Sequence, residues 1–452
     1  MAKTGKIAEV LFEKALETYE HQTQMLSLVS RFEPDASDMQ NTSVGGQNTG
    51  SFGGGVVWRP TSQHAPIMEG WDMTGNETDI IEETYPAILT PPKNDIVKQT
   101  ADDLRDMSFW ERRGEQSGKR QATELNKIIA QAVALQGSLF YEYDLSDNAN
   151  SGFKAIATAQ ALMNERQLMA GDDRSVVLND RDNLIFGDQL AGRQTLQGRP
   201  ADTWATGQIG SNVAEFDVYT GSFLPTLSAG GTITDGTVAS LSGASTTTDG
   251  NSFIPEAGSV DATTGAVTNV DYRVGVVNVT NAGTLAVGDK VTFTEINSVG
   301  LADKNDSGQL MTFTVVGVAT NAVSIYPKPI LTNLDATDSD LYRAYGNCVD
   351  TAVSVDGSLV GKTMTILNAT GGKQNIFFGK SAVEVTSGDA PIQLLNEFGG
   401  MKVISSTMSN GQKMYMAYTG SLLDMSFTCR LFTWYGVTIA NPMACGSFTT
   451  KA

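Results

Sequence analysis

The sequence predicts an α+β chain built on one long helix, with a separate all-β module set into it. Three observations carry that expectation. From Thr100 to Gly137 the chain avoids proline and repeats apolar residues at helical spacing. Near residue 223 the composition turns to Thr, Ser, Val, Gly and Asp, and helical periodicity vanishes until about residue 345. Outside that region short helical and strand patterns mix.

The long helix has a start and a stop. Thr100 and Asp103 fit a capping box, and Asp102, Asp103 and Asp106 favour the positive end of a helix dipole. Leu125, Ile128, Ile129, Ala132 and Val133 share one face, which runs back through Ala122, Gly118, Ser117 and Gly114. Each glycine costs a helix interior about 1 kcal/mol relative to alanine. Close packing at Gly114 and Gly118, or a bend, is therefore expected. Gly137 ends the helix.

The other elements follow in chain order. Residues 6–20 read as an amphipathic helix with Ile7, Val10, Leu11, Ala15 and Leu16 on its apolar side. Glu9, Glu13 and Glu17 recur every fourth residue as an acidic ridge, either a solvated face or a docking strip for a basic partner helix. Residues 34–56 are rich in Asn, Ser, Thr and Gly and read as an extended loop. Val56 to Trp58 and Tyr85 to Thr90 read as strands, with Pro60 arguing for a two-stranded projection rather than a central strand. Residues 151–169 form a second helix whose expected core face is Phe153, Ile156, Ala157, Ala161 and Leu162. Ser175 to Asn179 is a strand, and Leu184 to Leu190 is helical or irregular. Within the β module, candidate strands are 273–279, 290–294, 311–318 and 322–326, a pattern of a small barrel or sandwich. Phe427 to Ile439 is the last clear strand.

Charge and chemistry narrow the function. The 452 residues carry a net charge of −19, which argues against a protein that neutralises nucleic-acid phosphates. Cys348, Cys429 and Cys445 form no CxxC pair, so neither a disulfide framework nor a zinc site is expected. No signal-peptide pattern is read, and no apolar run reaches about 18 residues, so no membrane span is expected. His21 and His64 lie in arm or loop, away from any nucleophile pattern. Gly357 to Thr363 is one residue short of a P-loop and reads as a turn. Asp335, Asp338 and Asp340 are half of a calcium loop that lacks its glycine. No cofactor, metal or catalytic residue is assigned.

What remains is a set of surfaces, and their residues resemble a family. Glu17-Thr18, Met39-Gln40, Trp58, Pro60 and Glu69-Gly70-Trp71-Asp72 match in the arm and loop. The most specific block is Ala101 to Asp106, followed by Arg112-Arg113 and Gly137-Ser138-Leu139. Further on, Gly198-Arg199-Pro200, Phe216-Asp217, Gly288-Asp289-Lys290, Lys328-Pro329 and Arg343-Ala344-Tyr345 match. Cys429-Arg430 and Trp434-Tyr435-Gly436 complete the order. This colinear set resembles the P22-type coat protein, a major capsid protein of tailed bacteriophages. The Gly-rich segment 43–55 is longer here, and 223–272 matches poorly.

The resemblance implies an HK97-like fold with an inserted antiparallel β barrel. It divides the chain into an N-terminal arm (1–40), an E-loop (41–82) and a peripheral domain with the spine helix (83–140). An axial domain in two parts (141–222 and 346–425) flanks the insertion (223–345), and a peripheral strand and tail (426–452) follow. It implies a non-enzymatic shell protein of hexamers and pentamers around double-stranded DNA, assembled in the host cytoplasm through an expanding procapsid. The implied partners are copies of itself, a scaffolding protein, a portal protein and a decoration protein, with no membrane and no specific DNA binding. Glu13 and Glu17 align with arm positions that would receive a basic scaffold tail, and Trp58, Arg59 and Trp71 are the expected E-loop contacts between subunits. A surface-layer or fibre subunit is the alternative, favoured by the Thr-, Ser- and Gly-rich β segments.

Overall fold

In the computed structural model, two helices cross where the sequence places glycine inside a helix. The first, α1 (Ala2–Gln22), is followed by the short α2 (Gln24–Leu28). The spine helix α3 (Met107–Gln136) has 30 residues and is about 45 Å long. Gly114 and Gly118 face α1 so closely that a Cβ on Gly114 would lie 2.6 Å from the Leu11 carbonyl oxygen, and one on Gly118 would strike that of Ala15. The expected close packing is thus supplied by α1. The structure describes residues 2–33, 56–62, 71, 82–100, 107–144, 152–168, 173–191, 213–242, 259–260, 267–268, 271, 273–333, 345–354, 357–390, 392, 396, 401–409, 411–421 and 426–451.

Two helix faces are corrected, and one helix start falls outside the described residues. The spine is described from Met107 onward, and Thr100 is the last residue of a strand (Lys93–Thr100) that pairs with Ser426–Thr433 over eight positions. Asp102, Asp103 and Asp106, and with them the expected cap and helix start, lie outside the described residues. In α1 the buried side is Ala8, Leu11, Phe12, Ala15 and Tyr19, because the Tyr19 hydroxyl reaches Gln412 Oε1 at 2.7 Å. Val10 and Leu16 are only half-buried. In α4 (Gly152–Glu165) the stripe is Gly152, Ala155, Ile156, Ala159 and Met163, while Phe153 and Ala161 are exposed. Gly152 lies against Phe186 of α5 (Asp180–Ala191), where an added Cβ would fall 2.6 Å from the ring, and this contact sets the rotation.

The spine lies on two sheets. One has four antiparallel strands, in the order 402–407, 413–421, 426–433, 93–100. Trp110 meets Phe427 edge-on at 5.8 Å, and Ser117 donates to Asp95 Oδ2 at 2.6 Å. The other runs 139–144, 445–451, 372–379, 174–178, 216–220. Strands 402–421 and 426–433, which the expected division separates at 425, share one sheet, and Cys445–Lys451 pairs with 139–144 and 372–379 in the other. The pairing of 445–451 with 139–144 spans some three hundred residues and leaves no local signature. The expected strand 427–439 is two strands, 426–433 and 435–439, the second pairing with 383–387, which also carries Ser30–Phe32.

The inserted module is an antiparallel barrel. Strands 235–242, 275–281, 322–326, 306–319 and 290–299 follow one another around it. Met364–Ile366 pairs with 290–299, and a Thr237–Thr363 bridge closes the ring. Cys348–Asp350 adds to 290–299 as well, so the module reaches past the expected end at 345. Val277, Val279, Val291, Phe293, Met311, Phe313, Val323 and Ile325 fill the interior, with Phe293 and Phe313 edge-to-face at 5.4 Å. Among the described residues, no helix is long and apolar enough to cross a membrane.

Candidate assembly surfaces

The arm presents charge because packing consumes its other face. Glu9, Glu13 and Glu17 are all exposed on α1, opposite the side seated on the spine. Glu17 pairs with Lys14 at 2.7 Å, and both side chains remain open to solvent. The Lys14 ammonium is held above its usual range by its bond and charge pairing with Glu17, with further contributions from Glu111 and Glu115 of α3. Glu17 is correspondingly held below the ordinary carboxylate range by Lys14. Lys14 thus lies between acidic residues of two helices. The sequence carried a signal for the second: Glu111 and Glu115 sit four apart, outside the helix's apolar face. The turn from α1 to α2 is fixed by Asn126 of the spine, which donates to the Gln22 carbonyl at 3.0 Å and accepts from the Met25 amide at 3.3 Å.

The hairpin of Val56–Ser62 and Glu82–Ile88 is rooted by a half-buried charge cluster. Val56–Ser62 pairs with Glu82–Ile88 in isolation from other strands, as Pro60 suggested. Arg59 Nε lies 3.2 Å from Glu384 Oε1 and donates to the Tyr85 hydroxyl at 3.2 Å. Tyr85 in turn donates to Glu384 Oε2 at 3.1 Å, and the Arg59 guanidinium sits 4.0 Å over the Phe32 ring. Burial pushes the Glu384 carboxyl up, while Arg59 and Tyr85 pull it down, leaving it raised. Arg273 donates to the Ile439 carbonyl at 2.6 Å and stands 5.6 Å from the Tyr85 ring, so the segment entering the barrel meets the same root.

The expected contact residues thus separate. Arg59 is engaged within its own chain. Trp71 is fully exposed. Trp58 pairs with Pro86 in the hairpin, and its side chain lies outside what is described. Glu384 and Tyr85, the partners of Arg59, escaped sequence reasoning because they lie 299 positions apart.

The chemistry-bearing residues are spent on structure. Burial pushes the Cys429 thiol up to about 11 and that of Cys445 up to about 12, so neither is a thiolate near neutrality. Cys348 is shifted further in the same direction by burial. Gly357–Thr363 is a turn whose Lys362 binds Glu295 at 2.7 Å and Asp350 at 2.8 Å. His21 is exposed at the end of α1; His64, Asp335, Asp338 and Asp340 lie outside the described residues. Among the described residues no three His, Cys, Asp or Glu side chains gather to hold a metal.

The family model of the P22 coat protein, gene protein 5, matches residues 1–449. Among solved structures, the chain is similar to one of Mycobacterium phage Che8, with 12% identity, 94% of this chain and 90% of that chain covered, and a TM-score of 0.41. It is similar to the capsid of the cyanophage P-SCSP1u, with 10% identity, 89% and 85% coverage and a TM-score of 0.39. The CUS-3 coat protein I-domain is 27% identical over 32% of this chain and 94% of that chain, with a TM-score of 0.18. An N-terminal helix, a two-stranded projection, a spine helix on two sheets and an inserted barrel make up the HK97-like capsid fold with an insertion domain. With a family match across 449 residues, the chain belongs to the P22 coat protein family: it is a major capsid protein, a self-assembling and non-enzymatic component of the virion shell of a tailed-phage head.

Proposed function

We propose that copies of this chain pack as hexamers and pentamers into an icosahedral head around double-stranded DNA, through a scaffold-directed procapsid that expands. The observation that carries the scaffold step is the exposed ridge of Glu9, Glu13 and Glu17 on the first helix. Its chemistry suits a basic helical segment, and Glu13 and Glu17 are the assigned contacts. Trp71 and Trp58 are assigned to the E-loop's contact with a neighbouring subunit, and Arg59 to holding the loop's root. A portal protein takes one vertex, and a decoration protein binds the outer surface. The net charge of −19 suits an inner wall past which packaged DNA slides without adhering.

The test is the double substitution Glu13→Lys with Glu17→Lys. Both side chains are exposed, so the monomer's urea midpoint should move by less than about 0.5 kcal/mol equivalent. Procapsid yield with scaffolding protein should fall at least about tenfold, the change expected when about 1.4 kcal/mol of binding is lost. Unchanged yield would remove the assignment.

A further inference from the structure

The motif Gly288-Asp289-Lys290 has no part in the surfaces described above, yet it places a fully buried lysine beneath the end of the spine. Gly288 takes a positive φ of 100° and turns the chain into the barrel strand 290–299. Asp289 faces away from the spine: its carboxylate accepts from the Gly231 and Ala286 amides and from Asn368 Nδ2. Lys290 pairs across the barrel with Thr314 and extends the other way, so that Nζ lies 2.6 Å from the Ala134 carbonyl and 2.6 Å from Thr314 Oγ1. The Thr314 hydroxyl spends its own proton on the Gly137 carbonyl at 3.2 Å, so it can only accept from the lysine. Ala134 belongs to the last helical turn, whose carbonyls have no partner within the helix.

The acceptor count decides the protonation state. An ammonium brings three donors and a full charge. This site offers two acceptors and, among the described residues, no carboxylate in contact with Nζ. A neutral amine has two donors and leaves none unsatisfied. The groups around it cannot supply a counter-charge. The spine end, from Ala134 to Ser138, carries no ionisable side chain. Burial pushes the Cys445 thiol up to about 12 against the opposing influence of Lys290 and Arg273, so it stays neutral. The Phe140 ring is 6.0 Å away.

We propose that Lys290 is a proton-sensitive pin, seated under the spine helix as the neutral amine, and that proton uptake loosens the joint between the inserted barrel and the helix. Burial pushes this lysine down to about 7 from its usual 10.5. The sign follows from linkage. The opened joint binds more protons than the closed one at every pH between those two values, so the joint tightens as pH rises through this window. It is weakest below about pH 7, where the buried amine must carry a charge.

Hydrogen exchange of assembled shells at pH 6 and pH 8 tests this, after correction for the intrinsic rate. Peptides covering 129–140 and 288–296 should be about tenfold less protected at pH 6, the ratio that the two proton affinities dictate. A peptide covering α4 should not change. In Lys290→Met shells, which keep the length of the side chain without its charge, the pH difference at the joint should vanish. The proposal is overturned if wild-type protection at the joint is equal at both pH values, or if the tenfold difference persists in Lys290→Met. If that variant yields no shells, the wild-type pair of peptides still decides: a loss spread equally over α4 overturns the pin, and a loss confined to the joint upholds it.

Discussion

The inserted barrel and the body that carries it are both β-rich, but their strands are assembled in opposite ways. In the barrel, 290–299, 306–319 and 322–326 pair in the order in which they occur, through short turns. In the body, Lys93–Thr100 pairs with Ser426–Thr433, Leu139–Asp144 with Cys445–Lys451, and Ser30–Phe32 with Val383–Ser387. Loop-closure entropy grows with the length of chain between partners, so each body pairing must be offset by burial that arrives later. The barrel encloses its own cluster around Phe293 and Phe313, whereas the body's largest cluster gathers Leu11, Trp110, Ile129, Val385 and Leu431 from across the chain. Local pairing makes a unit; distant pairing makes one body out of many pieces.

The largest test of this contrast is excision. A fragment of residues 226–368 contains all six barrel strands, together with Cys348–Asp350. It should give a dispersed amide NMR spectrum. A fragment ending at 345 lacks two strands and should not; equally dispersed spectra would place the boundary back at 345. Next, Phe313→Ala should destabilise the barrel by about 3–5 kcal/mol, read by exchange of barrel peptides, with α1 and α3 unchanged. Loss of protection in α1 would mean that the barrel is not a separate unit. Gly118→Val should do the reverse. It drives a side chain into the Ala15 carbonyl and should cost the α1–α3 crossing about 2–4 kcal/mol, leaving the barrel's unfolding midpoint in place. Smallest of all, Arg59→Ala should cost about 1–2 kcal/mol and be felt in the E-loop root, through Tyr85 and Glu384, rather than in either core. A drop in barrel stability there would show that Arg273 couples the two regions.

The same contrast explains what could be read from the residues. The barrel's strands announce themselves by alternation and turns: Ala322–Tyr326 falls where it was expected, and 290–299 is only longer. Gly114 and Gly118 announced a close contact, though not that α1 supplies it. Non-local pairings stayed silent. Nothing near Thr100 signals a partner beyond residue 425. The acidic ridge was legible as periodic glutamates, while the Arg59–Tyr85–Glu384 root was not, since its members are scattered over three strands. Helix faces erred by a small rotation, because glycine, which periodicity scores as absent, sets the contact at Gly152.

The spine's C-terminal end has a temporal consequence. The Ser138 amide donates to the Pro442 carbonyl, and its hydroxyl donates to the sulfur of Met443, which lies 305 positions later. A ribosome adding about 5–20 residues per second reaches that point roughly 15–60 s after the helix emerges. Throughout the interval Ile129 and Val133 lack their final cover, and the barrel, complete once residue 366 has been made, can close before that cover arrives. Newly made chains therefore pass through a window in which a finished module hangs from an unfinished base, and that window is where a chaperone has something to hold.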